Sequence, residues 1–90
     1  MKDNYKRALR IHLANHFAQT RFKRGMTQAE FSEQLLMDPR SYAALERGEN
    51  FCCALTFILY LVFLCDNPAA LIRDLRRLLI SVRDSEHPAS

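Results

Sequence analysis

The stretch that decides the fold is RFKRGMTQAEFSEQLLMDPRSYAALERG, residues 21–48. It contains the start signals of two helices. Thr27 and Glu30 have the spacing of a capping box, in which the threonine hydroxyl accepts the backbone N–H of Glu30 and the carboxylate accepts that of Thr27. Asp38 is a good N-cap residue, and Pro39 suits the first helical position, whose N–H has no helical partner.

The two helices are short and lie close together in the chain. Their apolar spacing and the stop at Gly48 predict one helix over about residues 28–36 and another over about 39–47. A tight turn at Leu36 and Met37 joins them. This is the layout of a helix-turn-helix motif, whose second helix enters the major groove of DNA.

The rest of the chain is also predicted to be helical. Apolar residues recur at three- and four-residue steps over 4–23 and over 68–84. A run from about 53 to 65 is apolar on every face, which indicates a helix surrounded by protein. We therefore predict an all-α domain of five helices with a long first helix over residues 1–84, followed by a flexible tail at 85–90.

Charge is distributed unevenly along the 90 residues, whose net charge is +3. Residues 1–47 have nine lysines and arginines against five acids, whereas residues 48–90 have four against five. A basic first half suggests contact with an anion. A solvated surface with a slight excess of basic residues explains the same numbers equally well.

The reactive side chains do not form a recognisable catalytic or metal site. Cys52, Cys53 and Cys65 are an odd number of cysteines in an apolar run, which favours reduced thiols packed in the core of a cytoplasmic protein. His12 and His16 are four residues apart, but no glutamate accompanies them in a metal-binding motif. We expect no metal, no cofactor and no enzymatic activity.

A membrane location is not expected either. The N-terminal region is polar and lacks the apolar segment of a signal peptide. The uncharged run Phe51–Cys65 is shorter as a helix than the roughly 30 Å hydrocarbon core of a bilayer. A buried helix is the preferred interpretation, with a membrane-attached peptide as a weaker alternative.

Residues 17–64, about half of the chain, resemble the lambda-repressor-like family of phage and bacterial regulators, also called Cro-type or XRE. The matching residues are Arg21, Gly25-Met26-Thr27-Gln28-Ala29-Glu30-Phe31-Ser32, Leu35, Tyr42 and Leu45-Glu46-Arg47-Gly48. The resemblance implies a five-helix DNA-binding domain whose partner is double-stranded DNA.

Site residues follow from this resemblance. Arg40, Ser41 and Ala44 occupy positions from which side chains reach base edges, and Gln28, Arg47, Asn50 and Arg24 are the expected phosphate contacts. Arg21 and Glu46 match a pair that forms an internal salt bridge in several members. By its chemistry alone, Arg40 can also fork onto guanine O6 and N7. A surface ion pair between Arg47 and Glu49 is the alternative for Arg47.

The chain departs from the family pattern at three places. Leu36 stands where the family usually has glycine, and because a residue with a Cβ resists the left-handed conformation, we expect a turn of different shape. Asp38 replaces the usual Ser or Thr at the start of the recognition helix. Ala43 and Ala44 leave the recognition face thin, so that one copy alone would discriminate weakly and two copies on paired half-sites become more plausible.

The apolar second half of the chain predicts a homodimer. Helices four and five have more apolar surface than a core of this size needs to bury, which suggests a two-fold interface. The expected interface residues are Tyr60, Phe63, Leu71, Leu75, Leu78 and Leu79. The alternative is that the long first helix covers them within one chain.

The predicted function is a sequence-specific transcriptional regulator, and the alternative is a protein-interaction module on the same fold that has lost DNA readout.

Overall fold

A single long helix, α1, supports the rest of the domain. It spans Lys2–Lys23 in a computed structural model that describes residues 2–86. The part of the chain that is described contains five helices and no strand, which confirms the all-α prediction. The other helices are α2, Gln28–Gln34; α3, Pro39–Glu46; α4, Ala54–Leu59, which continues as a π-helical turn over Tyr60–Leu64; and α5, Pro68–Glu86.

Local side-chain caps begin α2 and α3 as predicted. The hydroxyl of Thr27 accepts the N–H of Glu30 at 3.1 Å, and the Glu30 carboxylate accepts the N–H of Thr27 at 3.0 Å. At α3, Oδ2 of Asp38 accepts the backbone N–H groups of Arg40 and Ser41. Each cap satisfies N–H groups that have no partner inside their helix, which fixes where that helix begins.

The turns after α1, α2 and α3 share one hydrogen-bonding pattern, the Schellman motif, which requires one residue with a left-handed backbone. Gly25 and Gly48 supply it after α1 and α3, with φ of 66° and 74°. After α2 the residue is Leu36, with φ of 55°. The N–H of Leu36 donates to Glu33 O at 3.2 Å, and that of Met37 to Ser32 O at 2.9 Å.

One prediction about this region was therefore wrong. The turn after α2 keeps the shape of the glycine turns, because two hydrogen bonds hold Leu36 in the left-handed conformation despite its Cβ. The two helices lie within one or two residues of the approximate predicted bounds, with α2 ending at Gln34 and α3 at Glu46, and the residues that follow belong to the closing turns.

Helix four is buried on one side only, which corrects the prediction that it is surrounded by protein. We use this name for α4 together with its π-helical turn. Thr56, Tyr60 and Leu64 face the core and are at most 4% exposed. The N–H of Cys65 donates to Tyr60 O at 2.8 Å, five residues back, which closes the π-helical turn.

Helix α5 runs antiparallel to α1. The Asn4 side chain donates to Glu86 at 2.6 Å near one end of the pair, and Lys23 donates to Asp66, just before α5, at 2.7 Å near the other. The helix continues through Glu86, so the predicted tail was wrong for Ser85 and Glu86, and the rest of that tail lies outside the described residues.

Aromatic rings form the centre of the core and join helices that are distant in sequence. Tyr60 packs edge-on against Phe17 with ring centroids 4.3 Å apart, and Phe31 packs against Tyr42 at 5.5 Å. All four rings are fully buried. The Tyr60 hydroxyl is hydrogen-bonded to the Thr20 hydroxyl at 2.6 Å, and burial raises the pKa of Tyr60 to about 12. Packing within this cluster holds helix four against α1 and α2.

Candidate nucleic-acid interface

The outward side of α3 presents a narrow row of side chains. Tyr42 and Leu45 anchor the opposite side of the helix in the core, at 0% and 1% exposure. Arg40, Ala44 and Arg47 then follow one another at helical spacing on the outside. Both arginines are exposed, whereas Ala44 is half-buried. The side chain of Ala44 is a single methyl group, which projects little from the helix. The face therefore has two long cationic side chains, and between them only a short alanine side chain covers the helix backbone.

The predicted base-contacting residues lie at the beginning and middle of this face. Arg40 and Ser41 are exposed in the first turn of α3, and their backbone N–H groups are capped by Asp38. That carboxylate faces the helix end, where it is favoured by the helix dipole. Ser41 lies to one side of the row that contains Arg40 and Ala44.

A buried ion pair joins α3 to α1 and α2. Arg21 Nε lies 2.6 Å from Glu46 Oε2 and Arg21 NH2 lies 3.0 Å from Glu46 Oε1, a two-pronged contact between side chains that are 11% and 9% exposed. Arg21 also donates to Met26 O at 3.0 Å. The structure thus brings together the two residues that the resemblance pairs, in the geometry of a salt bridge.

Titration of this pair is controlled by its hydrogen bonds. Burial by itself would raise the pKa of Glu46, but hydrogen bonds from Arg21 and Gln28 lower it below the ordinary value for glutamate. The hydrogen bond to Glu46 raises the pKa of Arg21, against the opposing effect of burial. Glu46 is therefore ionised but neutralised by Arg21, so its charge is not presented to a ligand on α3.

Gln28 and Arg24, two of the predicted phosphate contacts, make contacts within the protein. Gln28 donates from Nε2 to Glu46 Oε1 at 3.2 Å, which leaves one N–H of its amide for a ligand. Arg24 donates from Nε and NH2 to Leu64 O at 3.1 and 2.7 Å. Arg24 thus caps the end of helix four, while its side chain stays 37% exposed, so the phosphate contact remains a prediction.

Arg47 and Asn50 lie just beyond α3 and are exposed. Arg47 Nε donates to Glu49 Oε2 at 2.7 Å, and the two side chains are 60% and 51% exposed. This is the ion pair that the sequence left open as an alternative for Arg47. Because both partners are solvated, the pair is weak and can be exchanged for a phosphate contact.

The predicted dimer residues divide into three groups. Tyr60 and Leu71 are 0% and 1% exposed inside the protomer, so the prediction that they contact a second copy was wrong. Leu75, Leu78 and Leu79 are half-buried on α5, of which Leu75 packs against the core next to α1. Phe63 is 69% exposed. The long first helix thus covers part of the surface that was assigned to a partner.

Two exposed apolar features lie outside the six residues that were predicted to contact a second copy. Phe22 is 71% exposed, with the Arg21 guanidinium 4.4 Å from its ring centroid. Leu55, Ile58 and Val62 on helix four are 55–65% exposed. Excess apolar surface on helix four was expected from the sequence, because the uncharged run of residues 50–65 is too long for one small core to surround; no sequence signal distinguished Phe22.

The cysteines and histidines among the described residues do not form a metal-binding cluster. Cys52, Cys53 and Cys65 are free thiols, but Cys53 is exposed, which corrects the expectation that all three pack in the core. The side-chain hydrogen bond with Thr56 lowers the pKa of Cys53. Within residues 2–86 no group of three or more potential metal ligands comes together, and no helix there is long and apolar enough to cross a membrane.

Comparison of the chain with family models, with curated proteins and with solved structures gives no match.

Proposed function

We propose that the protein is a sequence-specific DNA-binding transcriptional regulator with a lambda-repressor-like helix-turn-helix fold. The observation that supports this most directly is the outward face of α3, where Arg40 and Arg47 flank a stretch with only alanine methyl groups. A helix with small side chains at its centre can approach the floor of the major groove closely, while arginines at its ends reach bases and phosphates. The protein would act in the cytoplasm, where its free thiols stay reduced.

Base readout is assigned to the first turn and middle of α3. Arg40 can donate two parallel hydrogen bonds to guanine O6 and N7, a contact worth about 1–3 kcal/mol of discrimination. Ser41 can donate to an adjacent base or phosphate, and the Ala44 methyl group can pack against the methyl group of thymine. With a single strong reader, one copy would select DNA only weakly.

Phosphate contacts are assigned to both ends of the motif. The free amide N–H of Gln28 lies at the start of α2, where the partial positive charge of the helix end favours an anion. Arg47 would exchange Glu49 for a phosphate, and Asn50 lies beside it. The buried Arg21–Glu46 pair orients α3 and neutralises the one carboxylate that is buried under the site.

The thin readout face favours binding by two copies. A homodimer on a two-fold operator would place two α3 helices in successive major grooves, roughly 34–36 Å apart. Pairing doubles the number of base contacts and raises specificity without further readers on each copy.

The test is selection of bound DNA from a random pool, followed by titration of the selected site at two salt concentrations. We expect a palindromic consensus and affinity that falls as salt increases. Arg40→Ala should weaken binding about 5- to 150-fold, the equivalent of about 1–3 kcal/mol, and relax selectivity at one position. Arg83→Ala, a matched loss of an exposed arginine on α5, should leave selectivity unchanged. Failure to enrich any sequence, with no salt-dependent binding, would refute the proposal.

A protein-interaction module on the same fold is the second candidate. The observation that favours it is Leu36, an apolar side chain that is 74% exposed in the turn of the motif. In that case Arg40→Ala would not change DNA affinity, while a partner protein that co-purifies with the wild type would be lost in Leu36→Ser.

A further inference from the structure

Helix four has an apolar outer face that we name the helix-four ridge, defined by Leu55, Ile58, Val62 and Phe63. These side chains are 58%, 55%, 65% and 69% exposed. They follow one another at steps of three, four and one residues, on the side of the helix opposite to the buried Thr56, Tyr60 and Leu64.

The π-helical turn explains why the ridge is wide. In an α-helix, residues four apart lie on the same face but drift around it by about 40°. The larger number of residues per π-helical turn offsets this drift, which keeps Leu64 in line with Thr56 and Tyr60. The residues between Tyr60 and Leu64 are pushed outward, and Val62 and Phe63 both become exposed.

The helix-four ridge is uncharged as well as exposed to solvent. No acidic or basic residue occurs between Glu49 and Asp66, a segment that contains the whole of helix four. Scattered exposed apolar residues are common on proteins, but a contiguous apolar patch of this kind marks an interaction surface. In a two-fold interface, the same surface patch of each copy meets its counterpart. An uncharged patch can do so without bringing like charges together.

The area of the ridge indicates the strength of such an interface. From their exposed fractions, the four side chains offer roughly 300 Å² of apolar surface per copy. Because the core of a homodimer interface is about 65% apolar, the complete contact would bury on the order of 1,000 Å² over both copies. This lies at the lower limit of specific interfaces and corresponds to weak, transient association.

We propose that the helix-four ridge is the surface on which a second copy of this chain docks, in a weak dimer that DNA completes. The proposal rests on the proposed function for its purpose, since the second copy brings the second recognition helix. It replaces the interface residues Tyr60 and Leu71, which are buried within the protomer, by residues on the opposite side of helix four. Free protein is then largely monomeric at low concentration, and two adjacent half-sites bind two copies cooperatively.

Sedimentation velocity of the full chain between 5 µM and 1 mM, roughly the range over which an interface of this size associates, tests the proposal without DNA. Wild type should shift from monomer toward dimer over this range. Ile58→Glu and Phe63→Glu should each weaken dimerisation at least about tenfold, since each buries a carboxylate in the interface. Ile11→Glu is the matched control, because Ile11 is 49% exposed and lies on α1 beside Gly48 rather than on helix four, and it should dimerise like wild type.

Circular dichroism melts of all variants establish that the substitutions leave the domain folded. Wild type that stays monomeric up to 1 mM would overturn the proposal, as would equal loss of dimer in Ile11→Glu and in the two folded ridge variants.

Titration of one and of two DNA half-sites separates this proposal from the proposed function. Ile58→Glu should bind one half-site like wild type and lose cooperativity on two, whereas lack of binding to either DNA by a dimeric wild type would refute only the DNA proposal.

Discussion

Replacing Leu36 by glycine should stabilise the protein, although the substitution removes a large apolar side chain. Leu36 has a left-handed backbone with φ of 55°, at a position equivalent to those of Gly25 and Gly48 in the other two turns. Its side chain is 74% exposed and so contributes little packing. The dominant effect of the change is therefore relief of the contact between Cβ and the backbone.

The magnitude follows from two opposing effects on the free energy of unfolding. A residue with a Cβ pays about 1–2 kcal/mol for the left-handed conformation, and glycine loses about 0.5–1 kcal/mol more conformational entropy on folding. The difference leaves a net gain of roughly 0.5–1 kcal/mol for Leu36→Gly. For a domain of this size, that corresponds to a rise in melting temperature of roughly 2–8 °C.

Urea denaturation followed by circular dichroism measures this gain, with two matched controls. Leu36→Ala removes the side chain but keeps the strain, so its stability should stay within about 0.5 kcal/mol of wild type. Glu33→Gly places glycine at an exposed, right-handed position inside α2 and should lose about 1 kcal/mol. If Leu36→Gly proves no more stable than Leu36→Ala, backbone strain at this turn is not the reason, and the reasoning fails.

Three further predictions concern the ion pairs and the pH dependence. Arg21→Met should lower the free energy of unfolding by about 3–5 kcal/mol, since it leaves the Glu46 carboxylate buried without its partner; a loss below about 1 kcal/mol in urea denaturation would contradict burial of the pair. Burial and the nearby charge of His12 lower the pKa of His16 below 6.5, although Asp74 opposes them, so the folded state favours the neutral ring. Stability should therefore be constant with respect to this group above pH 6.5 and fall as the pH drops below it, and His16→Gln should flatten that slope in denaturation curves measured between about pH 5 and 7.5. Glu49→Gln should tighten DNA binding by about 1.5- to 5-fold by releasing Arg47, and Glu33→Gln, an equal change of charge on α2, should do less; equal effects would mean that only net charge matters.

Local signals made the beginnings of the two helices at the candidate site predictable. Thr27 with Glu30, and Asp38 with Pro39, act on backbone groups within three residues of themselves, so their effect can be recognised without knowledge of the fold. The left-handed conformation of Leu36 was not predictable from residue type, because the hydrogen bonds of the closing turn outweigh the preference of leucine.

The contacts between distant parts of the chain were less predictable. Arg24 donates to Leu64 O across 40 residues, and nothing in its neighbourhood in the sequence distinguishes it from an arginine that is free to bind phosphate. The π-helical turn depends on the core that Tyr60 and Leu64 share with α1 and α2, so the exposed side of helix four could not be deduced from an apolar pattern without periodicity.

The sequence by itself determined the all-helical class, the beginnings of α2 and α3, and the pairing of short helices across a tight turn, because each depends on hydrogen bonds or apolar spacing within a few residues. Only the tertiary structure decided which arginines remain available on the surface and which side of helix four is left uncovered. Those outcomes depend on which surfaces α1 covers, and packing between residues tens of positions apart is a property of the assembled chain.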